Sequence, residues 1–362
     1  MSQIPVTILA GFLGSGKTTL LNRALRDPAL ARTAVVINEF GEIGLDHLLV
    51  TASDDNIMVL ENGCLCCTVF GDLIGTLNSL YHRREAGDIQ PFDRVVIETS
   101  GLADPAPVAQ AFLSEPTLAG LFRLATVVVT VDAINGQTTL DRHEESLRQV
   151  ALADHILITK LDLVPAEERS TAATKLSARL RHINPAATIS AIDDPAVDAV
   201  ALLGAPGLDP SESDAAARQW LNLAAFEHHD REHDHADHDH GREHHHHDND
   251  IASFAFVREE PTSRYALQLL LNALEQNLGP NLLRVKGLVN VAEEPERPAI
   301  IQGAQHLLHN IAWLDRWPDA DRRTRVVFIT QNIDRASVED MIGLLDRVAT
   351  RTAKARERAG SV

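Results

Sequence analysis

The chain has 362 residues and a formal net charge of −18, and 44% of its residues are hydrophobic. This length allows about two domains with buried cores, and the negative charge argues against nucleic acid or an anionic membrane surface as a partner. No apolar run reaches the ~18 residues that a membrane-spanning helix needs, and the segment Met1–Ala10 does not read as a signal peptide. We therefore expect a soluble protein.

The three cysteines all lie between Cys64 and Cys67. No distant cysteine is available for a disulfide that would join separate parts of the fold. Such a distribution is typical of proteins in a reducing compartment, so we expect a cytoplasmic location.

Short β-branched segments alternate with helical patterns in the first half of the chain. The predicted strands are Val6–Ala10, Ala34–Asn38, Ile57–Leu60, Arg94–Glu98, Ala125–Val131 and His155–Thr159, and the predicted helices include Lys17–Leu25 and Val69–Tyr81. The strands are apolar on both faces, which is typical of a parallel sheet covered by helices on each side. The pattern predicts a doubly wound α/β domain over residues 1–203.

The composition changes after Leu203, where glycine, proline and serine become frequent. Residues 227–250 are almost entirely His, Asp, Glu and Arg, and they offer nothing to bury in a core. These features predict a linker and a disordered His/Asp-rich loop over residues 204–250. The histidines could collect Zn²⁺, Co²⁺ or Ni²⁺ loosely, or serve only as a solvated spacer.

A smaller α+β domain, ferredoxin-like in outline, is predicted over residues 251–362. Its strands are Ile251–Val257, Leu282–Val291, Ala299–Gln302 and Arg325–Thr330. Leucines at helical spacing from Leu267 to Leu278 predict a helix that Gly279 and Pro280 end. A last helix carries Val338 to Val348, with Ser337 as its expected N-cap.

A phosphate-binding loop is predicted at Gly11–Thr18 (GFLGSGKT), which matches GxxxxGK[ST] between a strand and a helix. The backbone N–H groups from Gly11, Gly14, Ser15 and Gly16 would surround the phosphates. Lys17 should reach the β- and γ-phosphates, and the Thr18 hydroxyl should ligate Mg²⁺. The alternative is a glycine-rich turn that binds nothing, which the full match in the right context disfavours.

Two later segments complete the expected nucleotide site. Glu98 ends a buried strand where a Walker B acid would lie, and the Gly101 N–H could sense the γ-phosphate; alternatively, Glu98 only caps a turn. Thr159–Asp162 (TKLD) follows another strand and resembles a guanine-reading motif. Asp162 can accept hydrogen bonds from N1–H and the 2-amino group of guanine while Lys160 packs over the base, so GTP is favoured over ATP.

The cysteine motif Gly63–Cys67 (GCLCC) lies between a predicted strand and a helix. Thiolates are strong ligands for Zn²⁺ and related ions, and three of them leave an open position in a tetrahedral site. Glu42 could supply a nearby oxygen. Buried inert cysteine and a redox centre are the alternatives, although CxCC lacks the CxxC spacing of thioredoxin-like centres. His143 and His155 are expected to pack rather than to ligate.

These motifs together resemble the CobW-type metallochaperone GTPases. The resemblance rests on Gly11–Leu20, Asn38–Asp46, Gly63–Thr68, Glu98–Pro105 and Thr159–Asp162, and continues through Leu282–Val289, Ile300–Gly303 and Arg325–Ile329. It implies phosphate contacts at Gly14, Ser15, Gly16, Lys17, Thr18 and Thr19, Mg²⁺ at Thr18 and Glu98, and a transition metal at Cys64, Cys66 and Cys67. Thr159 departs from the family, because many members carry Asn there.

The function expected from the sequence is GTP hydrolysis coupled to delivery of a metal to a client metalloprotein. Lys17, Thr18 and Glu98 are the expected catalytic residues, and turnover should be slow because no arginine finger is evident. The Asn38–Asp46 loop is the expected switch between the γ-phosphate and the cysteines. Zinc is the expected cargo, with cobalt for cobalamin or nitrile hydratase maturation as the alternative. A zinc storage or sensor protein and a P-loop kinase are the rival functions.

Overall fold

A computed structural model describes residues 3–40, 57–62, 67–205, 214–223, 225–226, 251–304, 307–308 and 311–360. The chain forms two compact units, Met1–Gly207 and Leu208–Val362. Within the described residues, no helix is both long and apolar enough to cross a membrane.

The first unit is built on a seven-stranded sheet in which every pair of neighbours is parallel. Its strands are β1 (Ile4–Gly11), β2 (Thr33–Phe40), β3 (Ile57–Asn62), β4 (Arg94–Thr99), β5 (Phe122–Asp132), β6 (His155–Thr159) and β7 (Thr188–Ala191). They lie in the order β3-β2-β4-β1-β5-β6-β7. The six predicted strands are confirmed, and β7 was not predicted, since its four residues TISA carry only a weak apolar signal.

Eight helices of the described part connect or follow these strands. They are α1 (Lys17–Ala24), α2 (Cys67–Ala86), α3 (Ala106–Ser114), α4 (Pro116–Ala119), α5 (Gly136–Arg142), α6 (Glu144–Leu152), α7 (Arg169–Ile183) and α8 (Ala199–Gly204). Leu9 and Val96 pack with Leu20 and Leu21 of α1 in one core cluster. Their strand neighbours Ile8, Val95 and Ile97 point to the opposite face and are also buried. Burial on both faces confirms the predicted doubly wound arrangement.

The described part of the second unit contains an antiparallel sheet with α-helices before, between and after its strands, and a π-helical turn at Leu274–Leu278. The helix α9 (Asp214–Leu221) is followed by β8 (Ile251–Arg258), α10 (Arg264–Ala273), β9 (Leu282–Val289), β10 (Ala299–Ala304), β11 (Leu307–Leu308), β12 (Ala312–Trp313), β13 (Thr324–Gln331) and α11 (Arg335–Gly360). The strand order is β11-β10-β9-β13-β8, with β12 paired to β10. The predicted α+β class is confirmed. As in a ferredoxin-like layer, the β8–α10–β9 unit is split by an antiparallel strand, and that strand is β13, the last in sequence.

Both faces of the second sheet are covered. Leu267 of α10 and Val338 of α11 pack against Phe254 and Phe328 on one face. On the other face, Trp220 and Leu221 of α9 pack with Leu288 and Trp317. The prediction that residues 204–250 are a linker and loop is therefore wrong for Asp214–Leu221, where apolar residues at helical spacing lie among polar ones; residues 227–250 lie outside the described part.

One helix boundary also differs from the prediction. The N-cap of α11 is Asp334, whose Oδ1 accepts a hydrogen bond from the Ser337 backbone N–H at 2.8 Å. Ser337 was expected to be the cap and instead lies in the first turn. An aspartate satisfies the same free N–H groups as a serine, so the presence of Ser337 did not by itself fix the start of the helix.

Candidate nucleotide site

The phosphate loop follows β1 at the carboxyl edge of the parallel sheet, where ligands bind in open α/β folds. Three of its glycines have positive φ: Gly11 (140°), Gly14 (70°) and Gly16 (99°). A Cβ on Gly11 would lie 2.4 Å from Thr130 Oγ1, so no side chain fits there. At Gly14 there is space for a Cβ, but its backbone conformation favours glycine. The loop then leads into α1, as the motif predicted.

Lys17 is buried at the start of α1. Its Nζ donates hydrogen bonds to the backbone oxygens of Gly11, at 2.9 Å, and Phe12, at 3.3 Å. The ammonium group therefore bridges the first turn of the phosphate loop. A cation at this position can also donate to a phosphate oxygen, because a charged acceptor makes a stronger hydrogen bond than a neutral one.

Thr18 and Glu98 meet beside the loop, as the sequence predicted. The Thr18 hydroxyl donates to Glu98 Oε1 at 2.6 Å, and Glu98 is only 2% exposed at the end of β4. A hydroxyl and a carboxylate oxygen side by side are the hard oxygen ligands that Mg²⁺ prefers. The donor set therefore fits a magnesium ion bound together with a nucleotide phosphate, although the individual roles of these residues stay predictions.

The segment after β4 touches the phosphate loop directly. A Cβ on Gly101 would lie 2.6 Å from the backbone N of Leu13, so the two backbones are in close contact and only glycine fits. Gln149 on α6 donates from Nε2 to the backbone oxygens of Gly101, at 3.2 Å, and Ala103, at 3.0 Å. Sequence reasoning proposed Gly101 and missed Gln149, because a lone glutamine in an amphipathic helix carries no motif.

The back of the phosphate loop is fastened to two strands. Ser15 Oγ lies 2.6 Å from Thr130 Oγ1 at the end of β5. Thr159 Oγ1, at the end of β6, donates to the Ser15 backbone oxygen at 2.6 Å. The threonine that departs from the family motif is thus a direct hydrogen-bond donor to the phosphate loop. This link joins the loop to the segment expected to read the base.

Lys160 and Asp132 form an ion pair of 2.7 Å next to this segment. Lys160 has φ 60°, an uncommon conformation for a residue other than glycine. Burial raises the pKa of Asp132, but hydrogen bonds from Lys160, the Ile134 N–H and Asn135 outweigh it and hold the pKa below its usual value. Asp132 therefore stays ionised and orients Lys160. The sequence signal that was missed is an acid directly after a buried strand.

Asp162 follows Lys160 and has an exposed side chain. Its backbone oxygen accepts a hydrogen bond of 2.7 Å from Arg169 Nη2, which fastens the turn to α7. An exposed carboxylate on an anchored turn suits a residue that reads a base, and this role also stays a prediction.

Comparison with known proteins agrees with this geometry. Residues 5–191 match the family model of the CobW/HypB/UreG nucleotide-binding domain, and residues 251–343 match that of the cobalamin synthesis protein cobW C-terminal domain. The chain belongs to this family. It is a P-loop GTPase.

Individual relatives cover nearly the whole chain. The zinc chaperone YjiA of Escherichia coli K12 is 32% identical over 91% of this chain and 94% of its own length. The zinc chaperone CobW of Pseudomonas aeruginosa is 31% identical over 94% of this chain and 91% of its own. The crystal structure of Zn(II)-bound YjiA GTPase superposes with a TM-score of 0.67 at 27% identity, covering 95% and 99% of the two chains. A Zn(II)-bound variant of YjiA with one glutamate and two cysteines replaced by alanine matches equally well.

The cysteines of this CobW-family GTPase fall largely outside the described residues. The structure does not describe Cys64, Cys66 or Glu42, and it describes Cys67 only as the first residue of α2. The described residues contain no group of three metal-ligating side chains. His143 contacts Phe12 in a tilted arrangement with ring centroids 4.5 Å apart, and His155 is half-buried at the start of β6.

Proposed function

We propose that this GTPase is a metallochaperone that binds zinc through Cys64, Cys66 and Cys67 and delivers it to a client metalloprotein as GTP is hydrolysed. The names of the two relatives described above support zinc as the cargo. Thiolates suit Zn²⁺, and three of them leave a position through which the ion can be exchanged. Free thiolates require a reducing compartment, which supports a cytoplasmic location.

The observation that carries the proposal is the backbone register of β3, β2 and β4. Glu98 of β4 lies opposite Ile37 of β2, and Thr99 lies opposite Asn38. Two residues further along β2, Phe40 lies opposite Asn62, the last residue of β3. The cysteine motif begins directly after Asn62, so its entry point is about two strand spacings, on the order of 10 Å, from the strand that carries Glu98.

This register suggests how nucleotide and metal are coupled. The Asn38–Asp46 motif begins in the last three residues of β2 and continues into the segment between β2 and β3. A single stretch of chain therefore connects the strand beside Glu98 with the strand before the cysteines. In our proposal, this segment would take one arrangement when GTP is bound together with Mg²⁺, and that arrangement would complete a tight zinc site. Hydrolysis releases the segment and loosens the metal, as in other nucleotide-dependent switches.

The residues of the nucleotide site take the following roles in this proposal. Thr18 and Glu98 hold Mg²⁺, which offsets the charge on the phosphate oxygens. Lys17 and the N–H groups from Gly14 to Thr19 hold the phosphates, and Asp162 with Lys160 binds guanine. Turnover by the isolated protein should be slow, because the contacts of the phosphate loop described above include no arginine; a client supplies the missing group.

The test is zinc affinity measured by competition with a chromophoric chelator, in the nucleotide-free protein, with GDP, and with a non-hydrolysable GTP analogue. We expect the tightest binding with the GTP analogue and loss of this difference in Cys66→Ala. Zinc content alone would not decide the question, because the YjiA variant lacking two cysteines is also Zn(II)-bound. The same titration with Co²⁺ shows which metal has the larger nucleotide-dependent change.

The matched control is the full-length chain with the ten histidines of residues 227–250 replaced by serine. It removes loose zinc binding and leaves the cysteine motif intact, so we expect the nucleotide-dependent difference to persist. Equal zinc affinity in all three nucleotide states would contradict the proposal and favour a storage or sensor protein.

A further inference from the structure

Gln149 is a buried side chain that the proposed chemistry does not yet use. It is 1% exposed, and its Nε2 makes both of its hydrogen bonds to the segment that follows β4, at the oxygens of Gly101 and Ala103. The Ala103 N–H also donates to the Ser100 oxygen at 3.0 Å, which closes this segment into a turn. One amide group from α6 thus fixes two carbonyls of the turn beside the phosphate loop.

The turn can affect the phosphate loop because the two are in contact. Gly101 approaches the backbone of Leu13 so closely that a Cβ would lie 2.6 Å from its nitrogen. A shift of the turn would therefore change the position of Leu13, of Gly101, or of both. Glu98 lies three residues before Gly101, so the same shift also bears on the carboxylate that contacts Thr18.

A cavity next to Gln149 leaves the side chain free to respond. It has a volume of about 330 Å³ and is lined by Phe12 and Ser15 of the phosphate loop, Thr130 of β5, and Ser146 and Gln149 of α6. Its lining does not include Gly14, Gly16, Lys17 or Thr18, so the cavity borders the phosphate loop without containing the lysine or the threonine of the motif. Within the described part of the chain, Gln149 Oε1 has no hydrogen-bond partner.

We propose that Gln149 is a positioning residue for GTP hydrolysis: it holds the turn Ser100–Ala103 against the phosphate loop so that the Gly101 N–H reaches the γ-phosphate while Glu98 stays beside Thr18. The inference rests on the proposed role of this turn in sensing the γ-phosphate. It predicts an effect on hydrolysis rather than on nucleotide affinity, because Gln149 touches neither Lys17 nor the backbone N–H groups of the cradle.

The first experiment compares Gln149→Met with Gln137→Met in single-turnover GTP hydrolysis without zinc. Methionine keeps the length of glutamine and loses the hydrogen bonds to both carbonyls. Gln137 lies on α5, and its Nε2 makes no hydrogen bond in the described structure, so its replacement breaks none there. We expect Gln149→Met to hydrolyse GTP about tenfold more slowly, because small misplacements of reacting groups are costly, with GTP and GDP affinities unchanged. The Gln137→Met chain should match wild type in both.

A second variant, Gln149→Glu, provides a pH signature that a purely structural role would not show. The ionised carboxylate would face two carbonyl oxygens and repel them, whereas the protonated acid can donate to one. Burial raises the pKa of such a carboxyl, so hydrolysis relative to wild type should recover as the pH is lowered from about 8 to about 6. The hydrolysis rate of Gln149→Met, divided by that of wild type, should not change over this pH range.

If Gln149→Met hydrolysed GTP at the wild-type rate, the positioning role would be wrong. If that chain fails to fold, a flat pH ratio for Gln149→Glu overturns it instead. Because the assay contains no zinc, failure of metal coupling leaves this result intact, and the two proposals fail separately.

Discussion

Two partly buried acid–base pairs, one in each unit, differ in the number of hydrogen-bond donors that the cation has left for a ligand. In the first unit, Asp132 and Lys160 make a single contact of 2.7 Å, and the lysine side chain stays 32% exposed. In the second unit, Arg325 makes two contacts to Asp319, at 2.8 and 3.0 Å, and its side chain is 7% exposed. The lysine keeps donors for a ligand, whereas the arginine uses its terminal nitrogens inside the fold.

This difference indicates that burial of a charged side chain is not by itself evidence of a functional site. The Asp132–Lys160 pair lies at the carboxyl edge of a parallel sheet, next to the phosphate loop, where ligands bind. Arg325 lies near the start of β13 and also donates to the Asp321 oxygen at 3.0 Å, which ties a loop to the sheet. We therefore expect substitutions in the first pair to change nucleotide binding and substitutions in the second to change stability.

The largest effect should come from Lys17→Ala, which removes the cation of the phosphate loop. We expect GTP hydrolysis to fall about 1000-fold, because a positioned cation at the transferred phosphate is a major part of catalysis in this class. Lys175→Ala, an exposed lysine on α7, is the matched control and should leave the rate unchanged. A loss below about tenfold would contradict the role of Lys17.

Arg325→Met should be the most destabilising change in the second unit. It leaves the Asp319 carboxylate partly buried without its partner, and we expect a loss of about 3 kcal/mol in the free energy of unfolding. Denaturant unfolding followed by tryptophan fluorescence measures this unit alone, because all three tryptophans lie in it, at Trp220, Trp313 and Trp317.

The control for this change is Arg322→Met, which removes an exposed ion pair to Glu296. We expect it to cost less than about 1 kcal/mol, as exposed pairs usually do. GTP hydrolysis should be unchanged in both variants. Slower hydrolysis in folded Arg325→Met would break the distinction between the two pairs.

Asp132→Asn should have a smaller effect that is confined to the nucleotide. The amide keeps the shape of the carboxylate but removes the charge that orients Lys160, so we expect GTP affinity to weaken about tenfold, near the value of one charge-assisted hydrogen bond. Asp141 lies near the end of α5 and forms an ion pair with Arg179 of α7. Asp141→Asn weakens that ion pair and should leave the affinity for GTP unchanged. Fluorescent-nucleotide titration measures both.

The pH dependence of this pair follows from the lowered pKa of Asp132. A depressed carboxyl pKa means that the contribution of the charge is complete above the ordinary aspartate pKa of about 3.9 and is lost only as the pH falls below it. GTP affinity should therefore show no Asp132 titration between about pH 5 and 8. A midpoint in that range that disappears in Asp132→Asn would contradict the orientation of Lys160 by an ionised acid.

The sequence predicted the first unit well because its signals are local. The phosphate motif, buried apolar strands and an acid at the end of β4 each occupy a few consecutive residues, and the structure brings Thr18 and Glu98 to 2.6 Å. The prediction missed the local signal of Asp132, and it could not extend to Gln149 or the hydroxyl of Thr159, because their contacts join residues that are distant in sequence. Each is an ordinary residue until the sheet order places it beside the loop.

The second unit was predicted in its elements but not in its connections. Alternating apolar residues indicated β8, β9, β10 and β13, whereas nothing local determines that β13 pairs between β8 and β9. Helix α9 was missed because Asp214–Leu221 lies between segments of linker composition, and its burial depends on packing of Trp220 against a sheet more than 60 residues away, at Leu288. Long-range packing overrides local composition in such cases.

The prediction with the smallest expected effect concerns a residue of the first unit that lies away from the carboxyl edge of the sheet. It tests whether only residues at that edge influence GTP hydrolysis. His155 lies at the amino end of β6, opposite the edge that carries Thr159. Burial lowers its pKa, and the charge of Asp154 offsets this only in part. The fold therefore favours the neutral imidazole, so its contribution to stability is complete above the ordinary histidine pKa of about 6.5 and declines as the pH falls below it.

The first unit should lose stability between about pH 7.5 and 5.5, and we expect His155→Gln to make this loss smaller. The change should be less than ~1.4 kcal/mol, the value of one pKa unit, because the imidazole is partly exposed to solvent. Hydrogen exchange of the β6 amides measures this change, and His82→Gln, at an exposed position on α2, is the control chain. GTP hydrolysis should be unchanged in both chains. A slower rate in His155→Gln would mean that the amino end of β6 also influences the phosphate loop, and the carboxyl edge would then no longer account for function by itself.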